Sequence, residues 1–270
     1  MVREQLLVFD GYCRVCINLV RLMNVTGLFP AEQCISYYNL VPEVKSLIDE
    51  DRFKNEMAFI DPSDGVLYGP HGIKKAVSSK TGLLNLLLRI PFIFSLFIFV
   101  YKLIAYNRYV ILLPKQAALE CDCGPDKERK FRNYYFVLLS VLSMLTVEGA
   151  FALAGLSGKW LWLSCLVVPL LYGLVLACYK ILYPSTYHFD LRQHSSTSLL
   201  YAFAIGLVVE CLCSLVFKQI DLLLVFLIVS GTVFFLLYRN RIRFLQFKQT
   251  FVYWAVGIMF FLPLMFLLIG

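Results

Sequence analysis

With 270 residues, 60% of them hydrophobic, and a mean hydropathy of +0.73, the chain carries more apolar surface than one water-facing fold can bury. Its net charge of +7 gathers at the edges of apolar runs, where lipid headgroups and membrane topology account for it, and no motif supports nucleic-acid binding. Two environments follow: residues 1 to 80 mix charged and apolar side chains as a globular domain does, whereas from about Tyr134 long apolar runs alternate with short polar breaks.

The chain opens with Met1-Val2-Arg3-Glu4-Gln5 and runs directly into Leu6-Leu7-Val8-Phe9, too short for a secretory signal core and expected to be a buried strand. Asp10-Gly11-Tyr12 reads as a turn, and Cys13-Arg14-Val15-Cys16 opens a helix in which Val15, Leu19, Leu22 and Met23 recur at helical spacing. A second strand is expected over Cys34–Tyr38 and a helix near Pro42–Ile48. Met57–Ile60 and Val66–Tyr68 flank Pro62-Ser63-Asp64-Gly65 as a hairpin, with a helix after it. Strand, cysteine turn, helix, strand, helix, hairpin and last helix is a thioredoxin-like order.

The spacing of the first two cysteines carries chemistry. Cysteines three apart in the first turn of a helix bring their sulfurs within bonding reach, and free backbone N–H groups with the helix dipole favour a thiolate there. The thiolate is the species that attacks a disulfide. Cys13 is therefore expected to be the nucleophile and Cys16 the resolving thiol, with Arg14 adding positive charge and Asp10 capping the turn or moving a proton. A Cys-x-x-Cys is also half of a zinc site, and Cys121 and Cys123 could supply the other half, although Cys-x-Cys is tighter than the usual spacing. The strand context favours redox chemistry, which needs no organic cofactor; zinc is the minor alternative, and an inert pair a third.

Asp10-Gly11-x-Cys13-x-x-Cys16 after an opening strand resembles the DCC-type thiol-disulfide oxidoreductase family, named for its Asp-Cys-Cys signature. Asp61, Gly65 and Gly69-Pro70-His71-Gly72-Ile73 are similar to that family's second glycine-bearing turn and following helix. Tyr101–Ala105 with Asn107-Arg108-Tyr109 is similar to its closing helix and Asn-Arg-Tyr ending. The likeness covers roughly residues 5–112 and implies a thioredoxin-like fold with Cys13 and Cys16 as the redox pair. Two departures stand out: no proline precedes Met57, where thioredoxins present a cis-proline, and the apolar tail lies outside the basic module.

Residues 91–106 form an apolar run bracketed by Arg89 and Lys102, too short for a comfortable span and better suited to an interfacial or domain-buried helix. A basic, cysteine-containing linker over 113–132 follows. Cys121-x-Cys123 within it is either a plain linker feature or a secondary redox pair exchanging electrons with Cys13.

From 133 to 270 an all-α transmembrane bundle is expected, with about five spans at 134–156, 160–182, 198–217, 221–238 and 251–269. Strong and weak positive charge alternate between the spans, which places the N-terminal domain in the cytoplasm of a multi-pass integral membrane protein. Glu148 and Glu210 lie within spans, where a carboxylate faces a cavity or a partner, marking either a proton path or a packing contact. Cys165, Cys178, Cys211 and Cys213 read as small hydrophobes, and His188 and His194 as part of a polar, basic loop.

The expectation is a membrane-tethered thiol-disulfide oxidoreductase whose partners are the lipid bilayer and a protein or small-thiol redox partner. The alternative is a non-enzymatic membrane scaffold or transporter subunit whose N-terminal domain binds partners.

Overall fold

The computed structural model describes residues 4–78, 82–115, 124–155, 188–216 and 222–245. The chain divides into two compact units, Met1–Tyr134 and Tyr135–Gly270. The expected spans at 160–182 and 251–269, and Cys121, Cys123, Cys165 and Cys178, lie outside the described residues.

In the first unit, β1 (Leu6–Phe9), α1 (Arg14–Val25) and β2 (Cys34–Ser36) form a parallel β-α-β unit that pairs Leu7 with Cys34. Single turns α2 (Pro42–Lys45) and α3 (Glu50–Phe53) lead to β3 (Ala58–Asp61), which runs antiparallel to β1 and pairs Leu7 with Phe59. β4 (Gly65–Tyr68) closes the hairpin, so the sheet order is β2-β1-β3-β4. Then come α4 (Gly69–Ser78), α5 (Leu83–Arg89) and α6 (Pro91–Ile111).

Strand alternation sorts the core onto two faces. Leu7 and Phe59 join Val20 and Met23 of α1, Phe29 and Ala76 on one side. Val8, Ala58, Ile60 and Tyr68 pack with Tyr37, Ile48 and Phe53 on the other. β2 is shorter than the sequence pattern suggests, because Tyr37–Asn39 turn into a 3-10 helix that places Tyr37 over Phe53. The hairpin turn is held by Asp61, whose Oδ1 accepts from the Ser63 and Asp64 amides at 2.8 and 3.2 Å. The buried face of α1 is Cys16, Val20 and Met23, of which Met23 belongs to the stripe read from the spacing; the rest of that stripe is Val15, Leu19 and Leu22. Those three line a cavity beside the helix.

Part of the expected linker belongs to this unit. Asp126 and Asn55 exchange hydrogen bonds at 2.9 and 2.6 Å, and Phe131 stacks on Tyr106.

Among the described residues, four helices are long and apolar enough to cross a membrane: Pro91–Ile111, Arg129–Ala150, Gln193–Leu215 and Leu222–Phe244. The first is α6, whose C-terminal half buries Leu103, Ala105, Asn107, Arg108 and Val110 within the first unit. The others lie in α7 (Arg129–Leu153), α8 (His188–Val216) and α9 (Leu222–Phe244). Within the second unit, Val147 and Ala150 of α7 share a core with Ala202 and Phe203 of α8 and Phe226 and Phe234 of α9. Gly206 permits the α8–α9 approach, since a Cβ there would occupy the space of the Ser230 hydroxyl. α8 starts at His188, so the expected polar loop is helical there. His194 is buried and meets an Arg241 guanidinium nitrogen at 3.0 Å from its Nδ1. The polar run Gln193–Ser198 turns inward with it, which a hydropathy reading assigns to the surface.

Candidate functional site

The segment between β1 and α1 is built around Asp10, a carboxylate only 3% exposed. Its Oδ1 accepts from the Tyr12 and Cys13 amides at 2.9 and 3.2 Å, which fixes the turn. Gly11 is required in that turn because a Cβ would run into the Ser36 side chain at the end of β2. Cys13 is the N-cap of α1, and its Sγ accepts from the Cys16 amide at 3.3 Å. The two cysteines expected from their spacing are therefore brought together at the head of a twelve-residue helix as free thiols.

The far side of the site comes from α6. Arg108 Nη2 lies 3.4 Å from Asp10 Oδ2, both side chains being about 5% exposed, and the Tyr109 hydroxyl donates to the same oxygen at 3.1 Å. The Tyr38 hydroxyl donates to Oδ1 at 3.4 Å, and its ring lies tilted against Tyr12 with centroids 4.2 Å apart. After α6 the chain returns over the turn, where the Lys115 amide donates to the Tyr12 carbonyl at 3.0 Å. Cys13 is 1% exposed beneath this arrangement and Cys16 7%.

The electrostatics separate the two thiols. A hydrogen bond from the Cys16 side chain, with the Arg108 cation, holds Cys13 below the ordinary thiol range against the opposing effect of burial. The same hydrogen bond, burial and the adjacent Cys13 push Cys16 well above it. Cys34 on β2 has no such help, and burial lifts it to about 11. One sulfur is thus prepared as a nucleophile and its neighbour keeps its proton, the division of roles that thiol–disulfide exchange requires.

The cation acting on Cys13 is Arg108, not Arg14, whose side chain is exposed at the first helical position. Arg108, Tyr109 and Tyr38 are site residues that reading the motif alone misses, since Arg108 is 98 residues from Asp10. A signal was present: an arginine inside an apolar helix must be buried against an anion or reach the surface. Asp10 serves as the turn's cap and as the carboxylate facing Arg108.

Among the described residues, no group of three or more metal-ligating side chains occurs. Glu210 is fully buried on α8 with neither carboxyl oxygen hydrogen-bonded among the described residues, and Glu148 is half-buried on α7.

No family model, curated protein or solved structure matches the chain.

Proposed function

We propose that the chain is a membrane-tethered thiol-disulfide oxidoreductase of the DCC type, with a thioredoxin-like first unit facing the cytoplasm. The observation that carries the reading is the asymmetry of the pair: Cys13 caps α1, accepts from Cys16 and lies in the field of Arg108, while Cys16 stays protonated. The β-α-β unit followed by a β-hairpin, with the cysteines at the first crossover, supports the fold assignment. The apolar helices of the second unit supply the tether.

In the proposed cycle the Cys13 thiolate attacks one sulfur of a partner disulfide. A Cys13–partner bond forms, the partner's own S–S bond breaks, and its second sulfur leaves as a thiolate and takes a proton. Cys16 then loses its proton and attacks Cys13 Sγ, which closes the Cys13–Cys16 disulfide and releases the first partner sulfur as a thiol. Two electrons pass from the pair to the partner, and the reverse sequence regenerates the dithiol. Alkylation with mass spectrometry, on the full chain in redox buffers of graded potential, tests this. A reversible two-electron bond between Cys13 and Cys16 is the expected result, and two thiols that never pair would refute it.

A further inference from the structure

Access to the pair decides what it can react with. Cys13 is only 1% exposed, at a turn to which the chain returns through the Lys115 amide. Cys16, by contrast, forms part of the wall of a half-open cavity of about 300 Å3. That volume is at the lower end of the range for small-molecule pockets, roughly 300–1,000 Å3. Val15 and Leu19 of α1 and Phe97 and Val100 of α6 line its length, and Cys16 and Arg108 contribute to the same wall. The way in is therefore apolar along its sides, with a thiol and a cation as its chemical features.

The surface around the cavity is also apolar. Leu84, Val100 and Ile104 are lining residues that remain exposed. The neighbouring Leu83, Leu86 and Phe92 on α5 and α6 are 72, 62 and 77% exposed. Residues 65–119 contain no Asp or Glu, but do contain Lys74, Lys75, Lys80, Arg89, Lys102, Arg108 and Lys115. An apolar face within an acid-free, basic segment suits an anionic lipid surface. Because the chain also carries helices fit to cross a bilayer, the nearest reservoir of apolar ligand is lipid.

We propose that this cavity binds a lipid-soluble quinone and that the quinone takes the electron pair from Cys13 and Cys16, an inference that rests on the oxidoreductase reading and names one partner of that site. The chemistry balances. The Cys16 sulfur on the cavity wall passes its proton to the neighbouring Cys13 thiolate and adds to the quinone ring, forming a C–S bond and placing an anion on the ring oxygen. Arg108 on the cavity wall stabilises that oxyanion. Cys13 gives up that proton to the ring oxygen and attacks Cys16 Sγ, which forms the S–S bond and breaks the C–S bond. The hydroquinone leaves with two electrons, one proton from Cys16 and one from solvent. Both forms of the ligand are uncharged, as an apolar passage requires.

The test uses the full chain, reduced, desalted and reconstituted in lipid nanodiscs. It compares decylubiquinone with the same quinone head lacking the tail, following hydroquinone absorbance and the Cys13–Cys16 disulfide by alkylation. The expected result is saturable oxidation, with one hydroquinone per disulfide and half-saturation at least about tenfold lower for the tailed compound. Val15→Trp and Val100→Trp, which fill the cavity from two helices, raise that half-saturation about tenfold. Asn18→Trp, on the exposed side of α1, leaves it at the parent value. If glutathione disulfide oxidises the pair but decylubiquinone does not, the quinone site is refuted and the oxidoreductase reading stands. Equal behaviour of tailed and tailless quinones on the parent chain also refutes it, whatever the folding of the variants. If no oxidant closes the disulfide, both readings fall together.

Discussion

Replacing Asp10 by Asn preserves side-chain shape and removes one charge from the centre of the site. The carboxylate takes hydrogen bonds from the Tyr12 and Cys13 amides, the Tyr38 and Tyr109 hydroxyls and Arg108. An amide oriented to keep the two backbone bonds on its oxygen turns its NH2 toward Arg108, which can only donate. At the observed 3.4 Å separation, a charge pair in an effective dielectric of about 20 is worth about 5 kcal/mol, and breaking a buried pair costs about 3–5 kcal/mol. We expect the local opening free energy of β1 and the first turn of α1 to fall by about 3 kcal/mol. Exchange of the Leu7, Val8 and Ile17 amides would accelerate about 100-fold, at 1.4 kcal/mol per factor of ten. Hydrogen exchange with mass spectrometry on the full chain in nanodiscs reads this, with α9 as an internal reference. The same variant acts on the thiol in the opposite sense. Asp10 raises the Cys13 pKa, so its neutralisation moves the pH midpoint of Cys13 alkylation downward. A change below about 1 kcal/mol, the scale of an exposed ion pair, would show that the pair is solvated, and an upward midpoint would overturn the electrostatic account.

Arg108→Gln has the converse effect on the thiol: the alkylation midpoint of Cys13 rises because a stabilising cation is lost, which a pH series with iodoacetamide measures. In the parent chain the pH midpoint of Cys13 alkylation lies below that of Cys34, whose value is lifted to about 11; coincident midpoints would contradict the asymmetry. Asp61 is drawn down to about 2, first by the Ser63 hydroxyl, from an unfolded value near 3.9, so it stabilises the hairpin above roughly pH 4 and that stabilisation is lost as pH falls toward 2. Asp61→Asn therefore flattens this acid-dependent slope, read as hairpin amide exchange at pH 5 and pH 2.5. Gly206→Val separates α8 from α9 and costs more than about 2 kcal/mol; a thermal midpoint within 2 °C of the parent would refute the close approach.

Much of the first unit is legible in local patterns. Leu6–Phe9, the Asp10-Gly11 turn and the helix beginning after Cys13 stand where alternation, turn residues and helical spacing place them. What the sequence could not supply was contact between distant segments. Arg108 and Tyr109 reach Asp10 across about a hundred positions, and periodicity carries no record of such a meeting. The α1 stripe has a double role that spacing does not separate: Met23 and Leu19 pack on the sheet core, while Val15, Leu19 and Leu22 also face a cavity. In the second unit, hydropathy found α7, α8 and α9 but set α8 to begin at residue 198 rather than at His188. Polar residues 193–198 are buried there, and a hydropathy window cannot tell a buried polar helix from a loop. The 91–106 run continues to Ile111, because Asn107 and Arg108 find buried partners that a polarity reading counts as breaks.

A Cys16→Ser chain incubated with a disulfide-bearing partner should accumulate a mixed disulfide on Cys13, and exchange with the secondary pair would appear as a Cys13–Cys121 or Cys13–Cys123 bond. The most direct measurement of the central claim remains the redox titration of the pair in the full chain. The account predicts a single two-electron transition joining Cys13 to Cys16, fully reversible. Two thiols that stay unpaired across the whole range of potentials would contradict it.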